Sequence, residues 1–488
     1  MKKNLFKPRP NSPTPEKPIS SRLAENVTTL KTYFEPSDDL IFHTLCFKNR
    51  NGCLVYLSDM VDSKKLHDIE QYLLTVFQKE EPAYAESIDA YISRQFPFQS
   101  VSESKDWAPI IEGILSGKAI LLIDQSETVV YFDLLNTVGR QVSEPLDQRA
   151  VKGPQEGFVE KLETNLHLVR KRLRSPSLKV EQLVIGKETR TQINLLYIKG
   201  IANDELVKEV QERLDRIDID GIMDSQYLQS LVSDAPFSPF PTMMNTDRPD
   251  RVSAELLEGK VAILTDGSPF ALLAPVTFVE FFHSADDYYS PSPISTIVRW
   301  VRFLGLFVTL ILPAFFVAVT TFHQDLLQTP LLIRIAANRA NLPYPAVVEA
   351  IFMYLAYELL REAGLRMPKI FGGPLLTLLG LVLISQAAVN AGIIGPIMSV
   401  VVSTTALTAF IFPDYNFHQV VRFCGIPLLL LAGFFGFMGI LVGLMFGLAH
   451  LVSLRSFGVP YFSPVSPARR EGWKDVFIRA PWWAMDSR

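Results

Sequence analysis

Long stretches without a charged side chain set the last two-fifths of this chain apart and limit what it can fold into. The clearest stretch runs from Phe303 to Thr321, within the apolar segment 297–322. A helix of that length crosses the roughly 30 Å hydrocarbon core of a bilayer, although Pro313 would kink it. Three further segments are almost free of charge: 370–389, 392–412 and 424–448. The pattern predicts a transmembrane helical domain over residues 291–454.

The number of spans depends on segment 344–360, which is shorter and carries Glu349 and Glu358. This segment is compatible with a fifth span, a re-entrant segment or a helix that lies between others. We therefore predict an α-helical bundle of four or five spans.

Positive charge near the ends of the spans gives two conflicting indications of topology, because basic loops tend to stay in the cytoplasm. The basic C-terminal tail over residues 455–488 favours a cytoplasmic C-terminus and an even number of crossings. Arg361, Arg366 and Lys369 favour the cytoplasmic side as well, which fits five crossings better. The side of the tail therefore stays open at this point.

Charged residues are dense up to about Tyr289, which indicates a water-soluble region before the membrane domain. Asn51-Gly52 separates two apolar runs and predicts a β-hairpin, because both residue types tolerate positive φ. The order of strand and helix patterns recurs about 141 residues later, where Tyr197 matches Tyr56. Such self-similarity at a fixed spacing is the signature of a duplicated unit.

A second pair of matching segments supports the duplication. The shared residues are Gly117-Lys118, Asp124 and Ser126 in the first copy, and Gly259-Lys260, Asp266 and Ser268 in the second. We expect an α/β soluble region with two tandem, similar α/β subdomains over residues 22–150 and 151–290, the second opening with an amphipathic linker helix. The alternative is that hairpin and βα signals resemble each other by chance.

The N-terminal residues 1–21 are basic and Pro-rich, which predicts a disordered tail. This stretch has no apolar core, so it is not a signal peptide, and we expect the soluble region to be cytoplasmic. The chain has three cysteines, which implies no disulfide framework. Its net charge of −4 gives no basic footprint for nucleic acid.

Motifs for catalysis and cofactor binding are absent from the sequence. There is no GxxxxGK[ST], HExxH, GxSxG or CxxC pattern, and Gly259-Lys260 lacks the flanking residues of a phosphate loop. A calcium loop around Asp218 and Asp224 fails because Arg216 and Tyr227 occupy the first and twelfth ligand positions. The sequence predicts no enzyme activity, no cofactor and no metal site.

Polar residues inside the predicted spans are the candidate ion-pathway residues. Glu349 is the strongest, because intramembrane acids usually mark function and no basic residue follows it closely. Glu358 is expected to pair with Arg361 instead. The other candidates lie four residues apart on two helices: Gln386, Asn390, Ser399, Ser403, Thr404 and Thr408. These stripes indicate either interhelical hydrogen bonds or a water-lined ion path between subunits.

Two further sets of residues predict contacts rather than chemistry. Gly439, Gly443 and Gly447 recur every four residues, which would let another helix approach closely. A basic cluster is consistent with a solvated helix end or with contacts to anionic lipid headgroups. Its members are Arg170, Lys171, Arg172 and Arg174.

From about Gly153 to the C-terminus, the chain resembles the A subunit of the GerA-type spore germinant receptors. The segments that carry the resemblance include GPQEGFVE, RKRLR, DGIMDS, SPFPT, LLEGKVAILTDGSPFALLAP, ILPAFFVAVTTFH, ELLREAGLRMPK, QAAVNAG and SFGVPY. Asp247 and Lys260 are conservative departures from the family pattern. Asn390 replaces an intramembrane acid that is common in relatives.

The resemblance implies an integral protein of the spore inner membrane, with its N-terminal domain on the spore core side. It implies self-association into a nutrient-gated ion channel, contact with membrane lipid, and a complex with a transporter-like B subunit and a lipoprotein C subunit. Two alternatives remain. The first alternative is a non-conducting scaffold subunit, and the second is a receptor-like accessory channel protein of the dipicolinate-release system.

Overall fold

The computed structural model describes residues 18–46, 51–79, 101–136, 144–145, 147–148, 152–367, 373–468 and 472–484. Residues 1–17 of the predicted Pro-rich tail lie outside the described residues, so its predicted disorder stays a prediction.

The first unit is an antiparallel five-stranded sheet with helices packed on it. Its elements are α1 (Leu23–Phe34), β1 (Leu40–Cys46), β2 (Asn51–Leu57), α2 (Ser63–Lys79), β3 (Val101–Ser104), α3 (Trp107–Leu115), β4 (Lys118–Ile123) and β5 (Val129–Asp133). The strand order is β1-β2-β4-β5-β3, and every neighbouring pair is antiparallel. Both faces of the sheet are apolar and covered, which explains the continuous hydrophobic runs of β2 and β4.

The second unit repeats this arrangement. Its elements are α4 (Leu162–Arg172), β6 (Leu178–Ile185), β7 (Thr191–Ile198), α5 (Asp204–Asp215), α6 (Ser225–Val232), β8 (Met244–Thr246), α7 (Pro249–Leu257), β9 (Val261–Thr265) and β10 (Ala271–Ala274). The strand order β6-β7-β9-β10-β8 matches the first sheet position by position, and all neighbours are again antiparallel. The predicted α/β region with two sheets is confirmed.

Equivalent hydrogen bonds show that α4 corresponds to α1. The Asp124 carboxylate accepts a hydrogen bond from Leu23 N, and the Asp266 carboxylate accepts one from Leu162 N, each at the first residue of its helix. One turn later, Asn26 and Asn165 both exchange two hydrogen bonds with the backbone six residues earlier. The helix that the sequence presented as a linker is therefore the first helix of the second copy.

Backbone contacts and an ion pair join the two units. Asp38 N donates to Val180 O at 2.9 Å, so the end of the α1–β1 loop lies along the edge of β6. Lys179 Nζ donates to Phe34 O at 2.8 Å. Beside these contacts, the Arg170 guanidinium donates to both carboxylate oxygens of Asp39, at 2.8 and 3.0 Å.

The described residues from Asp286 to Ser453 are mainly helical. A short helix, α8 (Asp286–Tyr289), leads into α9 (Ser292–Thr321), α10 (Thr329–Arg339), α11 (Ala346–Arg366), α12 (Gly373–Asn390), α13 (Pro396–Ala409) and α14 (Tyr415–Ser453). Their shared interior is apolar and is built around residues such as Val317, Ala350, Met353 and Val402.

Helix α14 reverses direction at Gly436, which has φ 59° and ψ −137°. In a continuous helix Leu428 and Gly443 would lie about 22 Å apart, at 1.5 Å per residue. Instead, a Cβ at Gly443 would lie 2.7 Å from Leu428 Cδ1. The predicted single span 424–448 is therefore wrong, because a glycine in a conformation closed to other residues turns the helix back on itself.

Contacts between helices define two ends of the bundle. At the end next to the soluble region, Arg302 donates to Phe282 O, and Arg361 donates to Tyr415 Oη. At the far end, Gly436 packs against His323. Helices α9, α11, α12 and α13 and the two halves of α14 each run from one end to the other.

The C-terminal tail returns to the soluble region. Strands β11 (Arg455–Ser456) and β12 (Val459–Pro460) form a small hairpin, and Ser456 Oγ donates to Thr242 O. Further on, Asp475 accepts a hydrogen bond from Arg299 at 2.9 Å. The tail thus lies at the same end of the bundle as the N-terminal region.

Two helices of the described chain, α9 and α14, are both long and apolar enough to cross a membrane. Two shorter helical segments, Thr377–Asn390 and Pro396–Ala409, are apolar but fall below that length. The predicted count of four or five spans is therefore not confirmed by length and composition.

Candidate functional site

The polar pair on α12 lies on the outside of the bundle. Gln386 and Asn390 are exposed, and Gln386 Nε2 donates to Asn390 Oδ1 at 3.2 Å. Their neighbours on the same face are apolar and equally uncovered, with Val382 54% and Leu383 70% exposed. The pair therefore does not line a channel within one chain, and it is available to lipid or to another subunit.

The polar residues of α13 behave differently. Thr408 Oγ1 lies 3.0 Å from Thr309 Oγ1 of α9, which is an interhelical hydrogen bond. Ser399, Ser403 and Thr404 are half-buried. This stripe thus contains one residue that holds two helices together and three that border the surface.

Glu349 is buried at the far end of the bundle and is 3% exposed. Its carboxylate accepts a hydrogen bond from Gly395 N at 3.0 Å and lies 3.4 Å from Arg339 Nη2. The sequence analysis expected no close partner, because Arg339 precedes Glu349 by ten residues and comes from another helix. The structure shows a carboxylate that joins α10, α11 and the start of α13.

Glu358 forms the predicted ion pair with Arg361, at 3.0 Å. It also accepts a hydrogen bond from Arg422 Nη1 at 2.6 Å. Arg422 is 5% exposed and comes from the first half of α14. Sequence reasoning missed this partner, since nothing in the local pattern places residues 64 positions apart together.

The three spaced glycines contact their own helix. Gly439 and Gly443 of the returning half of α14 pack against Leu431 in the first half. A Cβ at Gly447 would meet nothing within 4 Å. Gly439 and Gly443 thus let the two halves of α14 pack closely against each other. Of the three glycines, Gly447 alone has room for a further helix.

Most side chains of the basic cluster at the end of α4 form ion pairs within the chain. Arg170 is 1% exposed and pairs with Asp39, so it cannot reach a lipid headgroup. Lys171 and Arg172 both pair with Glu156, at 2.9 and 2.7 Å. Together they lower the pKa of that carboxyl. Arg174 is exposed.

A buried charge network marks the junction between the soluble region and α9, and the sequence analysis did not identify it. Arg302 lies 2.6 Å and Arg299 3.7 Å from the Asp287 carboxylate, which is 2% exposed. Arg299 also binds Asp475 of the tail. The only sequence signal is two arginines three residues apart just before a charge-free stretch.

A second buried network lies beside this junction. Lys260, which follows the repeated glycine, contacts Glu255 at 2.6 Å and also pairs with Glu280. Burial would lower the pKa of Lys260, but the two carboxylates outweigh it and raise that pKa. Burial, followed by the charge of Glu255, raises the pKa of Glu258 to about 7. Within the described residues, no group of three or more His, Cys, Asp or Glu side chains could hold a metal ion.

Comparison with known proteins gives consistent matches along the chain. Residues 28–488 match the family model described as Bacillus/Clostridium GerA spore germination protein. Spore germination protein B1 of Bacillus subtilis is 40% identical over 95% of this chain and 95% of its own length. Spore germination protein KA of the same organism is 38% identical over 96% of this chain and 86% of its own.

A solved structure matches about half of the chain. The N-terminal domain of the A subunit of the Bacillus megaterium spore germinant receptor GerK3 is 32% identical, with a TM-score of 0.42 over 54% of this chain and 98% of that one. On the full-length sequence matches, the chain belongs to the GerA family of spore germinant receptor A subunits.

Proposed function

We propose that several copies of this chain associate in the spore inner membrane and enclose an ion path that opens when a nutrient is recognised. The observation that carries this proposal is the exposed Gln386–Asn390 pair on an otherwise apolar outer face. Polar side chains facing lipid are costly, so such a pair is expected to face protein or water.

The interior of a single bundle is packed with side chains where the structure describes it. Its centre is filled by apolar side chains such as Ala350, Met353 and Ala388. The buried Glu349 and the half-buried Glu358 are each held by an arginine. A path for ions is therefore expected between chains, where α12 of each copy contributes its polar pair.

The same proposal includes six membrane crossings: α9, α11, α12, α13 and the two halves of α14. The segments other than α9 contain 14 to 21 residues, and the shortest, α13, would cross together with the flanking residues of the apolar segment 392–412. Arg366 and the C-terminal tail then both lie on the side of the N-terminal region. Because basic segments stay in the cytoplasm, that side is the spore core.

Membership of the GerA family supports the presence of further subunits in the complex. We expect a transporter-like B subunit to bind the nutrient and a lipoprotein C subunit to complete the complex. The soluble units of neighbouring copies would then form the cytoplasmic part of the assembly. A non-conducting scaffold and an accessory protein of the dipicolinate-release system are the competing functions, and the experiment below separates conduction from scaffolding.

The test measures ion conductance of the purified full-length chain in planar bilayers, followed by ion release from spores. Gln386→Leu and Asn390→Leu should reduce conductance and release, whereas Leu383→Val on the same face should leave both unchanged. A chain that stays monomeric in mild detergent and in nanodiscs would refute the shared path. Oligomers without conductance would identify a scaffold instead.

A further inference from the structure

The first turns of α9 carry their apolar side chains on the outside. Every exposed side chain from Pro293 to Leu304 is apolar, whereas Arg299 and Arg302 of the same turns are buried. A water-soluble surface has the opposite arrangement, with charged side chains outside and large apolar ones mostly inside. These turns are therefore built to contact lipid or protein rather than water.

The C-terminal tail that docks on these turns has the same inverted arrangement. Its Arg479 is 3% exposed, and the guanidinium lies over the rings of Tyr288 and Trp482. Between residues 473 and 484, the exposed side chains that the structure describes are all apolar or aromatic: Trp473, Phe477, Ile478, Trp482 and Trp483. Together with Trp300 of α9, this patch contains four of the five tryptophans of the chain.

Hydrogen bonds and ring contacts hold the tail against α9. Trp300 Nε1 donates to Phe477 O at 2.8 Å, and Arg479 N donates to Thr296 Oγ1 at 3.1 Å. The Phe477 ring lies 5.2 Å from the ring of Phe303, which is the first residue of the charge-free stretch. The tail therefore forms one continuous surface with the start of α9.

This surface continues into the part of α9 that is apolar enough to cross a membrane. Exposed apolar side chains follow one another at helical spacing along one face, and each is at least 47% exposed: Ile297, Trp300, Val301, Leu304 and Phe307. Leu304 and Phe307 lie inside the charge-free stretch. Because the same face would meet lipid there, continuity favours lipid as the partner of the turns before Phe303 as well.

The length of α9 places the patch at the level of the lipid headgroups. The helix contains 30 residues, which is about 45 Å at 1.5 Å per residue. The stretch from Phe303 to Thr321 is sufficient for the roughly 30 Å hydrocarbon core, so the preceding turns extend into the headgroup layer. Tryptophan is enriched in this layer, because its ring is apolar and its N–H is polar.

We propose that the tail segment 473–484 lies on the phospholipid leaflet next to the soluble region, with Phe477 and Ile478 inserted among the lipids beside Trp300. The charges of Arg299 and Asp475 do not oppose this position, because the two side chains pair at 2.9 Å. The segment then holds the soluble region at a fixed height above the leaflet. This inference rests on the crossing of the membrane by α9, which is part of the proposed function, and does not require ion conduction.

The test measures the surroundings of a nitroxide spin label on Ile478→Cys in the full-length protein. The native cysteines are replaced as Cys46→Ser, Cys53→Ala and Cys424→Ala, and the protein is placed in nanodiscs of phosphatidylcholine and phosphatidylglycerol. Electron paramagnetic resonance then measures collisions of the label with oxygen, which concentrates in lipid, and with a nickel chelate, which stays in water. We expect the label at position 478 to collide with oxygen and to be shielded from nickel.

Two matched labels define the scale of this measurement. A label on Leu304→Cys in α9 should report lipid, and a label on Val184→Cys in β6, where the native side chain is 62% exposed, should report water. Each labelled protein should melt and elute from a size-exclusion column as the cysteine-free chain does, which shows that the fold is kept.

Three results would contradict the proposal. A nickel-accessible label at position 478, beside a lipid-exposed label at position 304, would refute insertion of the tail alone. A label at position 478 that is shielded from both reagents would show that another protein surface covers the patch instead of lipid. A label at position 304 that does not report lipid would refute the crossing of α9, and with it both the position of the tail and the six-crossing arrangement.

Discussion

Arg170 and Asp39 form a two-pronged ion pair between the two α/β units, and each side chain is 1% exposed. Removing one partner of a buried pair leaves an uncompensated charge, which costs about 3–5 kcal/mol. Asp39→Ala should therefore separate the units locally. Hydrogen exchange at the Asp38 amide, which donates to Val180 O, should become faster by about a hundredfold or more, since 1.4 kcal/mol corresponds to tenfold.

The control for this prediction is the exposed pair of Lys187 and Asp218, whose side chains are 62% and 73% exposed. Asp218→Asn should change stability by less than about 1 kcal/mol. Equal exchange at Asp38 in Asp39→Ala and in the unmodified chain would show that the ion pair does not hold the units together.

Asp59 should make stability fall as pH rises toward neutrality. Its pKa rises from 3.8 in the unfolded chain to about 7, so the folded state binds more protons between these values. Stability is then greatest below about pH 4 for this group and declines through pH 7, by up to about 4 kcal/mol. Denaturant unfolding between pH 4.5 and 8 should show this decline, flattened in Asp59→Asn but not in Asp68→Asn.

The two repeated glycines should respond alike to substitution. Gly117 has φ 81° and Gly259 has φ 90°, and a Cβ would lie 3.0 Å from Met60 O and 2.9 Å from Ile201 O. Alanine in this left-handed conformation costs roughly 1–2 kcal/mol before any clash. Gly200→Ala isolates the backbone cost, because φ is 82° but nothing lies within 4 Å. Thermal unfolding should rank Gly200→Ala as the mildest of the three.

Glu358 should stabilise the helical domain through Arg422. Glu358→Gln removes the negative charge beside a guanidinium whose side chain is 6% exposed, and because Glu358 itself is 29% exposed the cost should be about 1–3 kcal/mol. Melting in detergent, followed by size-exclusion chromatography, should show a clear decrease in thermal stability. Glu362→Gln is the matched control, because Glu362 is 53% exposed and, among the residues that the structure describes, pairs with Arg366 one turn along its own helix. Similar melting of both variants would contradict a structural role for Glu358.

Gly436 should determine where the C-terminal tail lies. A Cβ there would meet His323 Cε1 at 2.7 Å, and φ 59° with ψ −137° is a conformation for glycine. Gly436→Val should disrupt the reversal and decrease protein in the membrane, whereas Gly447→Val should be tolerated. With Gly436 unchanged, a cysteine that replaces Ser466 should be labelled only from the side of the N-terminal region. Labelling from the opposite side would refute the six-crossing arrangement.

The duplication could be predicted from the sequence because its markers have fixed backbone roles. Gly117 and Gly259 require positive φ, and Asp124 and Asp266 accept hydrogen bonds from helix N-termini, so these residues recur at near-constant spacing. The role of α4 as the first helix of the second copy could not be predicted, because its counterpart α1 shares few residue types with it beyond an asparagine.

The reversal within α14 could not be predicted from the sequence. Gly436 lies among other glycines in an apolar stretch, and no polar or charged residue marks the reversal. The ion-pair partners of Glu349 and Glu358 could not be predicted either. Arg339 and Arg422 come from other helices, and the sequence does not show how these helices pack. The candidate pair Gln386 and Asn390 was identified by spacing, but its outward orientation depends on how α12 packs.

The docking of the C-terminal tail has a mechanical consequence. The soluble region is attached to the helical bundle covalently at the entry into α9 and non-covalently through the docked tail that follows α14, and Arg299 joins the two attachments through Asp475. A domain that is held at one point can rotate in any direction. A domain that is held at two points can only tilt about the line that joins those points. Any torque on the α/β units would therefore reach the first and last helices together.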